Sequence, residues 1–382
     1  MKNLFIIIFA TFFFLFFSCK DDRAVNSITG TEICIDMSSS KKIDMNTIIE
    51  KIELIPLETN DSSLIGNLNN ILYIKDRYFM TFDRRFRIIV FDQEGNYVSN
   101  SKNAEGQGPN LYHIGLSMAY NYFTGNIEVI TPEQTILSYD VQFNFVKKET
   151  INSEEEVIFY KIFPINEDQC ILIPAITGQE PNVLFFYDRK KNKMIKKLPY
   201  DHVLAKLTQS DVPIRYWDSG FYFTPTSLSY LGYTIDCKNY NLNPEFRLNF
   251  GENNIYKNQL QKFDSDKAVN DYLAFDSPYP LPLQNIFNDL YIMSLIRMKN
   301  EYHMFIQSRE MGSEILFSTQ LNGGLQMPEF FTIDKHILFA LIQPYSIEKN
   351  IDVSLLDEKG KRLLKTISED DNPIVVKYYL KR

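Results

Sequence analysis

Four segments of the chain share one pattern: an apolar run, an aspartate, a polar turn and a second apolar run. They are RIIVFDQEGNYV, TILSYDVQFNFV, NVLFFYDRKKNKMI and LGYTIDCKNYNLNPEF, with Asp92, Asp140, Asp188 and Asp236 at the junctions. The aspartates stand 48 residues apart in every interval. A fixed period of that length restricts the chain to architectures made by stacking one supersecondary unit. Each unit has room for four short strands. In the first they are NILYIKD, RYFMTFD, RIIVFD and NYVSNS, rich in β-branched and aromatic residues and punctuated by Gly, Asn and Asp. Four-stranded units of roughly 40–50 residues are the mark of β-propeller blades. One blade cannot cover both its faces, so several must pack around an axis.

The period breaks after Phe250-Gly251. Residues 252–289 mix a helical pattern with a Pro-rich stretch and read as an insertion between blades. Strands resume with LYIMSLIRMKN, YHMFIQS and EILFSTQL. A last unit holds KHILFALIQP, a helical stretch within 345–371, and PIVVKYYLKR. Near the start, IIEKIELIPLE reads as a strand that precedes the first complete unit. Paired with PIVVKYYLK, it closes the ring and leaves only short protected edges. The expected fold class is all-β: a six-bladed β-propeller with four-stranded blades. N- and C-terminal strands close the ring, and helical or loop insertions lie near 252–289 and 345–371.

Ahead of the repeat, Leu4 to Phe17 is apolar or small throughout. That run of about 14 residues falls short of the roughly 17 a membrane span needs and suits a signal-peptide core, with Lys2 supplying the positive flank. It ends in FFSC, which resembles a bacterial lipobox with Cys19 as the acylated residue. The following Lys20-Asp21-Asp22 resembles the surface-export signal of Bacteroidota lipoproteins. The expected organisation is a lipoprotein signal peptide over 1–18, a lipidated tether and lead-in over 19–47, and the propeller over 48–382. The expected location is the outer membrane, held by the lipid anchor, on the cell surface, with the periplasmic face as the alternative.

Composition narrows the partners. Net charge is −8 and charged residues make up 23% of the chain, with the basic ones scattered, so no nucleic-acid footprint is present. Apart from Cys19 the cysteines are Cys34, Cys170 and Cys237, an odd number that excludes a fully paired disulfide framework. No Cys/His spacing fits zinc, no nucleophile elbow or P-loop occurs, and His113, His202, His303 and His336 form no paired motif. No metal and no cofactor is expected, and no catalytic residue is assigned.

The stretch MTFDRRFRIIVFDQEGNYVSNSKNAEGQGPNLYHIGL resembles an NHL repeat. The chain from IELIPLET to EDDNPIVVKYYLK resembles the six-bladed propeller lipoproteins of Bacteroidota. The resemblance implies the fold and a cell-envelope location and names no activity, since propellers host many functions.

Mapping the repeat assigns the second-to-third-strand loops to DRRFR, TPEQT, ITGQEPN, TPTSLSYLG and REMGSE, with NAEGQGPNLYH between blades. These loops put Arg84, Arg85, Tyr112, Gln134, Gln179, Tyr230 and Arg309 on one face. Arginine and tyrosine dominate binding hot spots. The repeated Asp92, Asp140, Asp188 and Asp236 are expected as turn acceptors, since a carboxylate after a strand accepts backbone N–H bonds in a tight turn. The expected function is a binding or scaffold propeller for a glycan, peptide or partner envelope protein. The alternative is a propeller lyase or hydrolase with an axial metal.

Overall fold

The computed structural model describes residues 30–83, 86–153, 157–175, 183–200, 212–217, 220–225, 228–255, 257–260, 263, 266–273 and 277–382. Two strands, β1 (Thr31–Cys34) and β2 (Ile49–Pro56), open the described chain. The first blade follows as β3 (Leu68–Ile74), β4 (Tyr78–Asp83), β5 (Ile88–Phe91) and β6 (Tyr97–Asn100). The second is β7 (Ser117–Tyr120), β8 (Ile127–Ile130), β9 (Thr135–Tyr139) and β10 (Phe145–Thr150). The third is β11 (Phe159–Pro164), β12 (Gln169–Pro174), β13 (Val183–Asp188) and β14 (Lys193–Pro199). The fourth is β15 (Ile214–Trp217), β16 (Gly220–Phe223), β17 (Leu231–Asp236) and β18 (Asn241–Asn249). The fifth is β19 (Leu281–Phe287), β20 (Tyr291–Met298), β21 (Glu301–Ser308) and β22 (Glu314–Ser318). The sixth joins β23 (Phe330–Asp334), β24 (Ile337–Ile342) and β25 (Ile374–Leu380) to β2, in the order β2-β25-β24-β23. The fold is an all-β six-bladed propeller.

Ring closure is a register, not only a proximity. β2 runs antiparallel to β25 from Ile49 opposite Leu380 to Pro56 opposite Ile374. The junction is then stitched by one buried amide. Asn372 accepts from Ile65 N at 2.8 Å and donates to Glu58 O at 2.7 Å and Ser63 O at 2.8 Å.

The apolar runs serve two seams at once because side chains alternate across a strand. In β5, Ile88 and Val90 face the seam with the second blade, while Ile89 and Phe91 face the seam with the sixth. Among the described residues there are six buried apolar clusters, one for each seam. Polar staples add to them. Glu128 on β8 receives both terminal nitrogens of Arg189, which follows β13, and Glu149 on β10 lies 3.5 Å from the same guanidinium.

Two features differ from the expectations. The stretch 252–289 is not one insertion. It carries short helices at Lys257–Leu260 and Asp266–Asp271, and its end is β19, the first strand of the fifth blade. Pro282 gave this strand a loop-like look; it sits at the register shift between β19 and β20, where a proline is tolerated. The lead-in before residue 48 is also structured. β1 adds to the outer edge of the fourth blade, parallel to β18, with Thr31 opposite Phe246. Lys41 then bridges Phe317 of the fifth blade, and the chain enters the sixth as β2. Residues 30–56 thus form a strap over three successive blades.

Candidate functional site

The aspartates of the repeat sit in the turns between third and fourth strands. Asp92 Oδ1 accepts from Glu94 N at 3.0 Å and Asn96 N at 2.8 Å, and Asp140 Oδ1 accepts from Gln142 N at 2.9 Å and Asn144 N at 2.8 Å. Asp188 Oδ1 accepts from Lys191 N at 2.8 Å, and Asp236 Oδ1 accepts from Lys238 N at 2.9 Å and Asn239 N at 3.1 Å. Hydrogen bonds within the turns hold the carboxyls of Asp188 and Asp236 below the usual carboxylate range, led by Lys191 N for the first and by the Asn239 side chain for the second. The Asp140 turn reaches the outer strand of the preceding blade. Ser99 at the end of β6 donates to Val141 O in the Asp140 turn, at 2.5 Å.

Among the described residues, the candidates Tyr112, Gln134, Tyr230 and Arg309 do not gather on one surface. Tyr112 is buried, and its hydroxyl donates to Phe86 O at 2.9 Å. Gln134 clamps the next blade: its Oε1 accepts from Phe159 N at 2.7 Å and its Nε2 donates to Phe159 O at 3.3 Å. Tyr230 is buried and receives Ile255 N at 3.0 Å, tying down the segment after the fourth blade. Arg309 is displaced from the expected face. With β19 as the first strand of its blade, REMGSE becomes the third-to-fourth turn, and Arg309 pairs with Glu245 on β18 of the preceding blade. Its position matches that of Arg189: the backbone N–H of each donates at 2.8 Å to a first-to-second-strand loop, at Leu290 O and Asp168 O. Arg84, Arg85 and Gln179 lie outside the described residues, as does Cys19.

The concave site lies on the axis. The inner strands β3, β7, β11, β15 and β23 contribute its walls, chiefly from the halves that lead into the first-to-second-strand hairpins. Tyr73 ends one wall, Tyr120 and Tyr122 a second, Phe163 a third, and Tyr216 and Trp217 a fourth. The rings meet across blades. Tyr122 of the second blade and Tyr216 of the fourth have centroids 5.1 Å apart, and Tyr73 of the first lies 6.5 Å from Trp217. Exposed Phe123 extends this group at 6.0 Å from Tyr216. The pocket holds about 670 Å³ of space not filled by atoms, part of it continuous with solvent.

Two polar groups mark the walls. Arg215, 8% exposed, donates from Nη2 to Phe331 O at 3.3 Å. Among the described residues its Nε has no acceptor, and neither does Trp217 Nε1. Burial pulls the Arg215 guanidinium down to about 10, which leaves it cationic at neutral pH. At the rim, Arg77 donates to the Tyr120 hydroxyl at 2.6 Å and lies 5.8 Å from that ring's centroid. The Tyr73 hydroxyl donates to Asp334 at 3.3 Å, and burial raises the Tyr73 and Tyr122 phenols above their ordinary value, so both remain O–H donors. Sequence reasoning missed this site. The available signals were an arginine inside an apolar strand run, VPIRYW, and the chain's one tryptophan beside it.

Residues 31–379 match the family model described as Domain of unknown function (DUF4934). The chain belongs to this family. Solved structures give the DUF4934 chain a fold-level likeness. A Bacteroides fragilis protein with a provisional exported-protein description is 15% identical, with 92% of this chain and 99% of that one covered, at a TM-score of 0.69. A DUF4221 member from Bacteroides vulgatus is 10% identical, with 87% and 98% covered, at a TM-score of 0.52. At these identities the likeness shows the propeller fold. No curated protein matches the sequence. Among the described residues of the DUF4934 chain, no group of three or more His, Cys, Asp or Glu side chains is placed to hold a metal ion.

Proposed function

We propose that this chain is an outer-membrane lipoprotein, anchored through Cys19 and displayed on the cell surface, that works as a binding propeller for a glycan, peptide or partner envelope protein. The observation that carries the binding reading is the axial pocket. Five inner strands converge there on a ring of tyrosines, a tryptophan and an arginine, the residue types that concentrate binding energy. The anchor rests on the FFSC and KDD segments, and the provisional exported-protein description of a similar propeller is in keeping with it.

One experiment joins the two parts. Intact cells expressing the chain are probed for surface display, and the purified chain is used to capture glycans and envelope proteins. Cys19→Ser should remove lipid labelling and surface display. Tyr122→Ala should weaken capture in a chain that still melts in one cooperative transition. Capture that survives Tyr122→Ala undiminished would move the binding site away from the axis.

A further inference from the structure

We propose that the axial pocket takes a small ring bearing a carboxylate, with Arg215 as the group that anchors the acid. The inference rests on the binding reading above and adds the chemistry of the ligand.

The argument turns on two buried arginines that the fold treats differently. Arg189 is enclosed with two carboxylates, Glu128 and Glu149. Arg215 is nine-tenths buried, yet among the described residues no carboxylate pairs with it, and one backbone carbonyl is its acceptor. Asp334, the acid at the neighbouring end of β23, is engaged by Lys75 at 3.9 Å and by Tyr73. A buried charge without a counter-charge is costly, so a structural role alone leaves Arg215 unexplained. A guanidinium presents a planar fork that a carboxylate fits with two parallel hydrogen bonds. Trp217, two residues along the same strand, adds an unsatisfied N–H on the same side of β15.

The rest of the ligand follows from the walls. Tyr122 and Tyr216 line the pocket with two tilted rings whose centroids lie 5.1 Å apart. That suits a flat or chair-shaped ring better than an extended chain. Phosphate is disfavoured, because phosphate sites gather backbone N–H groups at loops and helix termini. Among the described residues, its lining is mostly strand side chains, with Arg215 as the guanidinium.

Titration calorimetry on the full chain tests the inference with two matched pairs. Phenyl β-glucuronide is compared with phenyl β-glucoside, and phenylacetate with phenylacetamide. At least one acid should bind about tenfold or more tighter than its neutral partner, the weight expected of a charge-assisted hydrogen bond. Which pair shows the preference distinguishes a sugar acid from an aromatic acid. Arg215→Met should erase the preference, leave neutral binding in place, and keep or raise the melting temperature. A purely structural arginine would lower it. Equal binding of acid and neutral partner, a preference that survives Arg215→Met, or no binding by any of the four would overturn the inference. Neutral binding that Tyr122→Ala abolishes, with no acid preference, would remove the carboxylate and leave the axial site standing.

Discussion

At the scale of single residues, the seams are held by side chains whose partners lie one blade away. Glu128 is fully buried and Arg189 is 2% exposed at its side chain, and the two meet through both terminal guanidinium nitrogens, with Asn121 donating to Glu128 Oε1 at 3.0 Å. Removing one partner of such a pair strands the other charge in a low-dielectric seam. Arg189→Met should therefore cost about 3–5 kcal/mol, and the double variant with Glu128→Leu should recover much of it. Urea denaturation of both variants checks this; a double variant no more stable than Arg189→Met would show that the pair is not the unit. The difference between the residues that sequence could and could not place is physical. Asp92, Asp140, Asp188 and Asp236 announce themselves because a local turn repeats with the blade. The environments of Gln134, Tyr112 and Arg215 depend on which blade stands opposite, and that is not encoded in local spacing.

At the scale of elements, the strap over residues 30–56 buries Ile33 and Ile35 in the cluster between the fourth and fifth blades and Ile43 and Met45 in the cluster between the fifth and sixth. It is held on the fifth blade by Ser318 N to Lys41 O at 3.0 Å, Asn322 N to Ile43 O at 3.0 Å, and the Ser40 hydroxyl against His303 Nδ1 at 2.7 Å. Burial lowers the affinity of His303 for a proton below the ordinary value of 6.5, and Glu301, 3.8 Å from Nε2, opposes that shift in part. The unfolded chain therefore takes up this proton before the folded one does. The stabilising contribution is present above about pH 6.5 and is lost as pH falls through the lower folded value. The melting temperature should drop between pH 7 and 5, and His303→Gln, which retains a partner for Ser40, should reduce that drop. Equal pH slopes for the two proteins would exclude His303 as the source. The strap also shows why its first strand escaped notice. TEIC is four residues long, its partner β18 lies more than 200 residues away, and its exposure pattern leaves one side chain buried. The β19 error has a different origin: its period was masked by Pro282 and by the segment that breaks the repeat. One missed strand moved Arg309 from a turn to a loop on the other side of the blade.

At the scale of the whole molecule, the seams form a closed cycle. In an open stack of repeats, the end units have one neighbour and fray first. Here each blade has two, and the cycle exists because β2 completes the sixth sheet and Asn372 fastens the junction to the first. This was legible in sequence, because IELIPLE and PIVVKYYLK each read as a strand lacking a partner within its own unit. The energetic consequence is larger than the loss of eight strand residues. A chain beginning at residue 58 exposes the edge of β25. It also removes Ile52 and Leu54 from the cluster between the fifth and sixth blades, and Ile55 and Leu57 from the cluster between the sixth and first. At roughly 1.5–3 kcal/mol for each fully buried aliphatic side chain, these four alone are comparable to the net stability of a typical domain. A chain beginning at residue 30 should melt with the full-length protein in one transition. A chain beginning at residue 58 should melt far lower and over a broader range, because an opened ring can lose its end blades singly. Asn372→Ala should lie between them, costing about 1–3 kcal/mol by leaving the backbone groups of Glu58, Ser63 and Ile65 without their partner. Calorimetry of the three variants measures this order. If the chain from residue 58 retained a sharp transition within a few degrees of the full-length value, each blade would be stable without the cycle, and β2 would be an edge cover, not the clasp of the ring.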